Sequence, residues 1–253
     1  MIEIKNLSKN YDDKKALVDL NLTIESGKIF GLLGHNGAGK STTIKSLVSI
    51  HKPNSGSIKI NGMELSQHRS EIKKMITYVP DTPDVFLQLT ALEYWNLVAN
   101  AYDLINEDFL PLRKKLVELF HLEDRQNEVM SNFSHGIRQK AVLIASLLSD
   151  PAIWVLDEPF QGLDPQAVFD LKQLMKAKAN KGKTVLFSTH DLQMAQTLCD
   201  DLAILKSGEL IYEGSMTNLR KQYNNEPLEK IYLQLTGSDD SKLFNEIEGE
   251  VNA

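Results

Sequence analysis

The chain has 253 residues, a hydrophobic content of 42% and a formal net charge of −6. This length suits one large α/β domain with room for a subdomain and a tail, and the hydrophobic content is enough for a substantial core. The negative charge does not favour nucleic-acid binding, and the single cysteine, Cys199, excludes an internal disulfide framework. No apolar run approaches the roughly 18 residues of a membrane-spanning helix, so we expect any membrane-spanning part on another chain.

The first 80 residues predict mainly β structure. Hydrophobic and polar residues alternate in residues 2–5 and 18–24, the pattern of half-buried strands. Asn61-Gly62 lies between two short alternating runs and predicts a hairpin with a type I′ turn. The run 76–79 predicts another strand, which Pro80 ends.

Residues 34–41 match the phosphate-binding pattern G-x-x-x-x-G-K-S/T, and we call them the phosphate loop. Glycines let such a loop turn tightly and aim its N–H groups into one concavity, and the helix that follows favours an anion at its N-terminus. Lys40 is expected to reach the β- and γ-phosphates and Ser41 to hold Mg²⁺. The residues expected to bind the nucleotide are Gly34, His35, Asn36, Gly37, Ala38, Gly39, Lys40, Ser41 and Thr42.

The segment from about residue 84 to residue 149 predicts a mostly helical block. Thr90 and Glu93 have the spacing of a capping box. Ser134 is placed to cap a later apolar helix, whose N-terminus is a second potential anion site. One ATP does not need two such sites in one subunit, so a second copy of the chain could use the spare one.

Beyond the block, strands and helices alternate, which favours a parallel sheet. Asp157 and Glu158 end an apolar strand. Asp157 is expected to hold Mg²⁺ through water, and Glu158 to orient and deprotonate the water that attacks the γ-phosphate. His190 follows the next strand, which would deliver it to the same edge of the sheet. Asp164-Pro165 is typical of the start of a helix.

Taken together, these motifs resemble a known family, the ATP-binding subunits of ABC transporters, over about residues 1–220. They occur in the family's order along the chain. After the phosphate loop come a segment similar to the Q-loop following residue 79, a signature-like run at 133–139, a Walker B pair at 157–158, a D-loop at 162–164 and an H-loop at His190.

The resemblance implies an α/β fold: a P-loop NTPase core with a mostly parallel sheet, an antiparallel β subdomain and an inserted helical subdomain. The ABC ATPase domain would cover residues 1–220, with the helical subdomain at about 84–149, and a C-terminal tail would cover 221–253. Tyr11 sits where the family places an aromatic residue that stacks on adenine.

The resemblance also implies an ATPase that works as a head-to-tail dimer. Ser134 and Gly136 would contact the γ-phosphate of ATP held by the other subunit, and Asp164 would lie at the dimer contact. The implied partners are integral-membrane permease subunits and a second copy of the chain or a homologous ATPase subunit, with no nucleic acid. The chain would lie peripherally on the cytoplasmic face of the cell membrane, held by the membrane subunit.

Several positions depart from the family pattern, among them Ile137 for the usual Gln of the signature and His35 for a common Pro of the phosphate loop. Asp81 stands at the Q-loop position in place of Gln, and its carboxylate can still approach Mg²⁺ or its water. His135 replaces the first Gly of the signature. Similar changes occur in the branch that pairs with separate permeases, often exporters, and the chain looks most like the Ecs-type members of that branch. The implied function is a subunit whose ATP hydrolysis powers an exporter.

Three other functions have weaker support. Soluble ABC-type ATPases that act on ribosomes or nucleic acid usually carry two such domains, a long coiled coil or zinc-binding cysteines, and this sequence has none of these. A P-loop GTPase or kinase is another alternative, and the Asn-Lys-x-Asp guanine signal of the GTPases is absent at residues 180–183. A scaffolding role with an inactive site conflicts with the intact Lys40, Asp157, Glu158 and His190.

Overall fold

The computed structural model describes residues 1–104 and 109–237, which form two β-sheets with helices around them. The strands in these residues are β1 (Ile2–Tyr11), β2 (Lys14–Ile24), β3 (Ile29–Leu33), β4 (Ser55–Ile60), β5 (Met63–Glu64), β6 (Ile76–Val79), β7 (Ile153–Asp157), β8 (Thr184–Thr189), β9 (Asp201–Lys206) and β10 (Glu209–Ser215). The α-helices are α1 (Lys40–Leu47), α2 (Arg69–Met75), α3 (Ala91–Ala101), α4 (Leu110–Leu119), α5 (His135–Leu147), α6 (Pro165–Asn180), α7 (Leu192–Leu198), α8 (Met216–Gln222) and α9 (Leu228–Thr236).

The larger sheet carries the phosphate loop, which connects β3 to α1. Its strand order is β10-β9-β3-β8-β7-β6, and every neighbouring pair is parallel except β10 with β9. The smaller sheet has the order β2-β1-β4-β5 and is antiparallel throughout. The predicted α/β fold class is therefore confirmed. The predicted hairpin is also present, because Asn61 and Gly62 both have positive φ between β4 and β5.

The central strands β7 and β8 are buried on both faces. Trp154 and Phe187 lie in the core formed with the helices, whereas Val155 and Leu186 lie in the core shared with the antiparallel sheet. Successive residues of a strand point to opposite faces, so a nearly continuous apolar run is what two covered faces require. Because these strands are parallel, their carboxyl ends meet at one edge, beside the loop that follows β3.

The helices α3, α4 and α5 form a layer on the helical side of the sheet. Thr90 and Glu93 make the predicted capping box at the start of α3, and Ser134 caps α5 as expected. The indole N–H of Trp95 donates to the carbonyl of Ala141 at 2.9 Å and ties α3 to α5. Among the helices of residues 1–104 and 109–237, none combines the length and hydropathy needed to cross a membrane.

The structure differs from the predicted alternation along β2. Along β2, Leu17 is buried and Val18 only half-buried, because the pairing with β1 is irregular and Asp19 has a φ of 46°. The polar segment after residue 215 contains α8 and α9, whose apolar faces join the main core, with Leu219, Leu228 and Ile231 buried. Residues 238–253 of the expected tail lie outside the described residues.

Candidate nucleotide-hydrolysis site

Glycine backbone geometry shapes the phosphate loop. Gly37 and Gly39 have φ values of 83° and 109°, which side chains with a Cβ rarely adopt. A Cβ on Gly39 would lie only 2.9 Å from the carbonyl oxygen of Ala16. From the other side, Gly208 in the β9–β10 turn donates its N–H to the carbonyl of Ala38 at 2.9 Å. The loop is thus held by two distant segments before α1 begins at Lys40.

Lys40 lies across the loop and is only 5% exposed. Its Nζ donates to the carbonyl of Gly34 at 2.6 Å and to that of His35 at 3.3 Å. The same Nζ is 3.3 Å from Oε1 of Glu158. An ammonium group has three donors and no acceptor, so a lysine placed here can transfer its donors to a phosphate without moving far.

Asp157 is a fully buried carboxylate at the end of β7. Its Oδ1 accepts hydrogen bonds from Ser41 at 3.2 Å and from Ser188, while Oδ2 has no hydrogen-bond partner among the described residues. Burial raises the pKa of Asp157, and the bonds from Ser188 and Ser41 act in the opposite direction. A desolvated carboxylate with a free oxygen beside a hydroxyl fits a hard cation such as Mg²⁺.

Within residues 1–104 and 109–237, no three His, Cys, Asp or Glu side chains are grouped as a metal site. Mg²⁺ usually keeps several waters and binds through one or two carboxylates together with substrate phosphates. The pair Ser41 and Asp157 therefore fits a magnesium ion that arrives with a nucleotide better than it fits a permanently bound metal.

Glu158 is turned away from Asp157 by its backbone. Its φ of 46° is in the left-handed region, an unusual conformation for a residue other than glycine and one that often marks a functional site. The Glu158 N–H donates to Oγ of Ser188 at 3.0 Å, and Oε2 is 3.0 Å from Nδ1 of His190. The carboxylate therefore lies between Lys40 and His190, within 3.3 Å of Nζ and 3.0 Å of Nδ1.

A cavity of about 430 Å³ lies along the phosphate loop and brings most of the candidate residues together. Tyr11 is at this cavity, and its ring makes an edge contact with His51 at a centroid distance of 5.6 Å and lies 5.2 Å from Nζ of Lys9. The cavity is lined by Tyr11, Lys14, Ala16, His35, Asn36, Gly37, Gly39, Lys40, Ser41, Thr42, Asp81, Glu158 and Gln161.

Sequence reasoning assigned no role to several residues of this site. Lys14, Ala16 and Gln161 line the cavity, and Ser188 bonds both Asp157 and Glu158. Ser188 comes two residues before His190, near the end of the strand next to β7. This position could have predicted it as a residue of the site. Lys14 and Ala16 are on β2, and no motif in the sequence around them indicates that they line a nucleotide site.

Ser134, Gly136 and Asp164 do not line this cavity. Gly136 packs so closely on Gly162 that a Cβ there would lie 2.1 Å from the carbonyl oxygen of Gly162. Asp164 caps α6 by accepting the N–H of Ala167 at 3.0 Å, and it pairs with Lys140 at 2.5 Å. The first turns of α5 therefore contact the start of α6 and the residue pair before it. The surface that they form is separate from the phosphate-loop cavity.

The raised pKa of Asp157 predicts a stability effect. Because the pKa is raised above 3.8, the carboxyl stabilises the fold when protonated, and this stability is lost as pH rises through the folded-state pKa. We expect Asp157→Asn without nucleotide to raise the melting temperature at pH 7, because the amide removes the cost of a buried charge. Scanning calorimetry at pH 7 and pH 4 should show a smaller gain at pH 4, with Asp13→Asn unchanged. A lower melting temperature than wild type at pH 7 would contradict this account.

The chain is similar to known proteins over most of its length. The family model described as ABC transporter matches residues 17–161. The chain is 36% identical to the ABC-type transporter ATP-binding protein EcsA of Bacillus subtilis, over 94% of this chain and 98% of that protein. It is 32% identical to the ABC transporter ATP-binding protein NatA of the same species, over 92% and 97%. It is 31% identical to the Nod factor export ATP-binding protein I of Burkholderia lata, over 85% and 70%.

Solved structures give the same result. An ATP-binding subunit of an ABC transporter superposes with a TM-score of 0.88 at 34% identity, covering 93% of this chain and 99% of that one. A dimeric ATP-binding cassette in a post-hydrolysis state, bound to ADP and Pi, superposes with a TM-score of 0.77 at 26% identity, covering 85% and 99%. The chain therefore belongs to the ABC transporter family and is an ATP-binding subunit that hydrolyses ATP.

Proposed function

We propose that ATP hydrolysis at this site drives an integral-membrane permease in the direction of export. The observation that supports ATP hydrolysis is the position of Glu158 beside the phosphate loop. Its carboxylate is oriented there by His190 and Lys40. Export is supported by the relatives named for Nod factor export. The subunit would sit peripherally on the cytoplasmic face of the cell membrane, held by the permease.

In this proposal, one ATP lies in the cavity along the phosphate loop. Tyr11 stacks on adenine, the loop N–H groups surround the phosphates, and Lys40 pairs with the β- and γ-phosphates. Ser41, Asp157 and Asp81 would hold Mg²⁺, which supplies charge neutralisation at the β- and γ-phosphate oxygens. The position of Asp81 supports this assignment, because it lines the same cavity and its Oδ1 accepts its neighbour's N–H at 2.9 Å.

The hydrolytic step is a proton transfer coupled to phosphoryl transfer. A water attacks the γ-phosphorus, Glu158 takes the water's proton, and the bond from the γ-phosphorus to the bridging oxygen breaks to leave ADP and phosphate. His190 holds the Glu158 carboxylate through Nδ1, while Lys40 offsets charge on the phosphates.

The proposed active assembly is a head-to-tail dimer with a second copy of the chain or a homologous ATPase subunit. Ser134 and Gly136 would complete the ATP site of the other subunit, and Asp164 would lie at the contact. Two observations support this arrangement: the N-terminus of α5 is a separate potential anion site that does not line the chain's own phosphate-loop cavity, and a cassette similar to this chain is dimeric.

The membrane partner can be tested by co-purification. We expect the tagged chain, extracted from membranes in mild detergent, to retain an integral-membrane permease identified by mass spectrometry. An untagged strain processed in parallel gives the background. Recovery of ribosomal or nucleic-acid-repair proteins in place of a permease would overturn the transporter function while leaving ATP hydrolysis intact.

A further inference from the structure

Arg138, in the first turns of α5, holds the residues that lead into Ser134. A long side chain on a helix points toward the helix N-terminus, and that of Arg138 lies back along this segment. Its Nε donates to the carbonyl of Met130 at 3.2 Å, and Nη2 donates to the carbonyl of Phe133 at 3.0 Å. The Phe133 carbonyl belongs to the planar peptide unit that ends at the Ser134 nitrogen, so this bond fixes the backbone directly before Ser134.

The other terminal nitrogen of Arg138, Nη1, pairs with the carboxylate of Asp84. Asp84 lies in the connection between β6 and α3. It comes three residues after Asp81, which lines the phosphate-loop cavity. One guanidinium therefore joins the segment that carries Asp81 to the segment that carries Ser134.

Backbone hydrogen bonds show that these two segments lie side by side beyond the ion pair. The N–H of Ser131 donates to the carbonyl of Leu87 at 2.9 Å, and the N–H of Met130 donates to the carbonyl of Leu89 at 2.9 Å. The ion pair extends this contact along the chain toward Asp81. A change at one segment can therefore be transmitted to the other.

The contacts of Arg138 suit a positioning role better than a direct contact with phosphate. A guanidinium has N–H donors and no acceptor, and all three of its nitrogens already bond protein oxygens. The side chain is also only 14% exposed. Arg138 is therefore committed to holding the backbone before Ser134.

We infer that Arg138 and Asp84 are positioning residues for the ATP site of the other subunit. Together they set the backbone before Ser134, and neither of them reacts. Although Asp84 is close in sequence to Asp81 of the chain's own site, its effect should fall on the γ-phosphate held by the other subunit. This inference rests on the proposed head-to-tail dimer, in which Ser134 completes that site.

Charge reversal of Asp84 tests in which site the pair acts. Asp84→Arg places a second cation beside Arg138 and is expected to lower ATP turnover about tenfold, whereas Asp84→Glu keeps the carboxylate and should stay within about twofold of wild type. Mixing Asp84→Arg with Lys40→Ala should give more turnover than the two variants measured apart. In such a mixed dimer both defects fall in one site and the other site has neither. Phosphate release over a range of mixing ratios measures this gain.

Glu128→Arg is the matched control. Glu128 pairs with Arg125, three residues earlier, at 3.8 Å, and its side chain is 46% exposed against 49% for Asp84. This variant also places a cation beside an arginine, but the pair that it breaks lies within one segment. Its turnover should therefore equal that of wild type.

Wild-type turnover in Asp84→Arg alone would overturn the inference. So would the lack of any gain on mixing with Lys40→Ala, because the defect would then lie in the chain's own site, beside Asp81. If the arginine lowers the melting temperature, Asp84→Asn takes its place and is judged by the same outcomes.

A reference mixture separates failure of this inference from failure of the proposed function. It combines Lys40→Ala with Ser134→Glu, which places a carboxylate at the other subunit's γ-phosphate. If the reference mixture gains no turnover, the shared-site dimer is wrong. If it gains turnover and the mixture with Asp84→Arg does not, only the role assigned to Asp84 and Arg138 is refuted.

Discussion

Glu158→Gln is expected to lower the ATP turnover of the purified chain by about 10²–10⁴-fold, the usual contribution of a general base. The amide keeps the shape of the side chain and can still contact His190, but it cannot accept the proton of the attacking water. ATP binding should be kept or strengthened, because the carboxylate now 3.3 Å from the Lys40 ammonium would no longer compete with the triphosphate for that charge.

Two measurements separate this explanation from a folding defect. Steady-state phosphate release gives the turnover, and calorimetric titration with ATP gives the affinity. Glu209→Gln changes the same functional group at an exposed position on β10 and should leave both unchanged. Wild-type turnover in Glu158→Gln would show that another group accepts the proton.

Mixing two inactive variants should restore ATPase activity if each site is built from two subunits. Lys40→Ala removes the ammonium from the phosphate loop, and Ser134→Glu places a carboxylate where the other subunit's γ-phosphate would bind. Each variant alone is expected to be inactive. In a mixed head-to-tail dimer, both defects fall in one site, and the other site has an intact Lys40 and an intact Ser134. A glutamate is tolerated at a helix N-terminus, so the fold should survive.

The matched control mixes Lys40→Ala with Asp157→Asn. Both residues belong to the phosphate-loop side of a site, as their links to Glu158 and Ser41 show, so every mixed dimer carries one defect in each site and should stay inactive. Activity is measured as phosphate release over a range of mixing ratios. If the first mixture also stays inactive, or if Ser134→Glu alone is fully active, the shared-site mechanism is wrong.

The residues of the site differ in how far local sequence could predict them. The turn geometry of Gly37 and Gly39, the start of α1 at Lys40 and the Ser134 cap are encoded by neighbouring residues, since glycine conformations and helix caps depend on a few adjacent positions. The strands β7 and β8 were predictable because an apolar run covered on both faces has a distinct composition. The left-handed backbone of Glu158, by contrast, has no local signal, because glutamate rarely adopts it.

The sequence by itself determined the phosphate loop, the acidic end of β7 and the mostly parallel character of the sheet, because these depend on short-range geometry and on the alternation of elements. Only the tertiary structure decided which distant groups support them: Gly208, which bonds Ala38, and Ser188, which bonds both Asp157 and Glu158. These contacts join segments that are far apart in the chain. Their partners are selected by packing of the sheet and helices, and no spacing rule within a single segment encodes them.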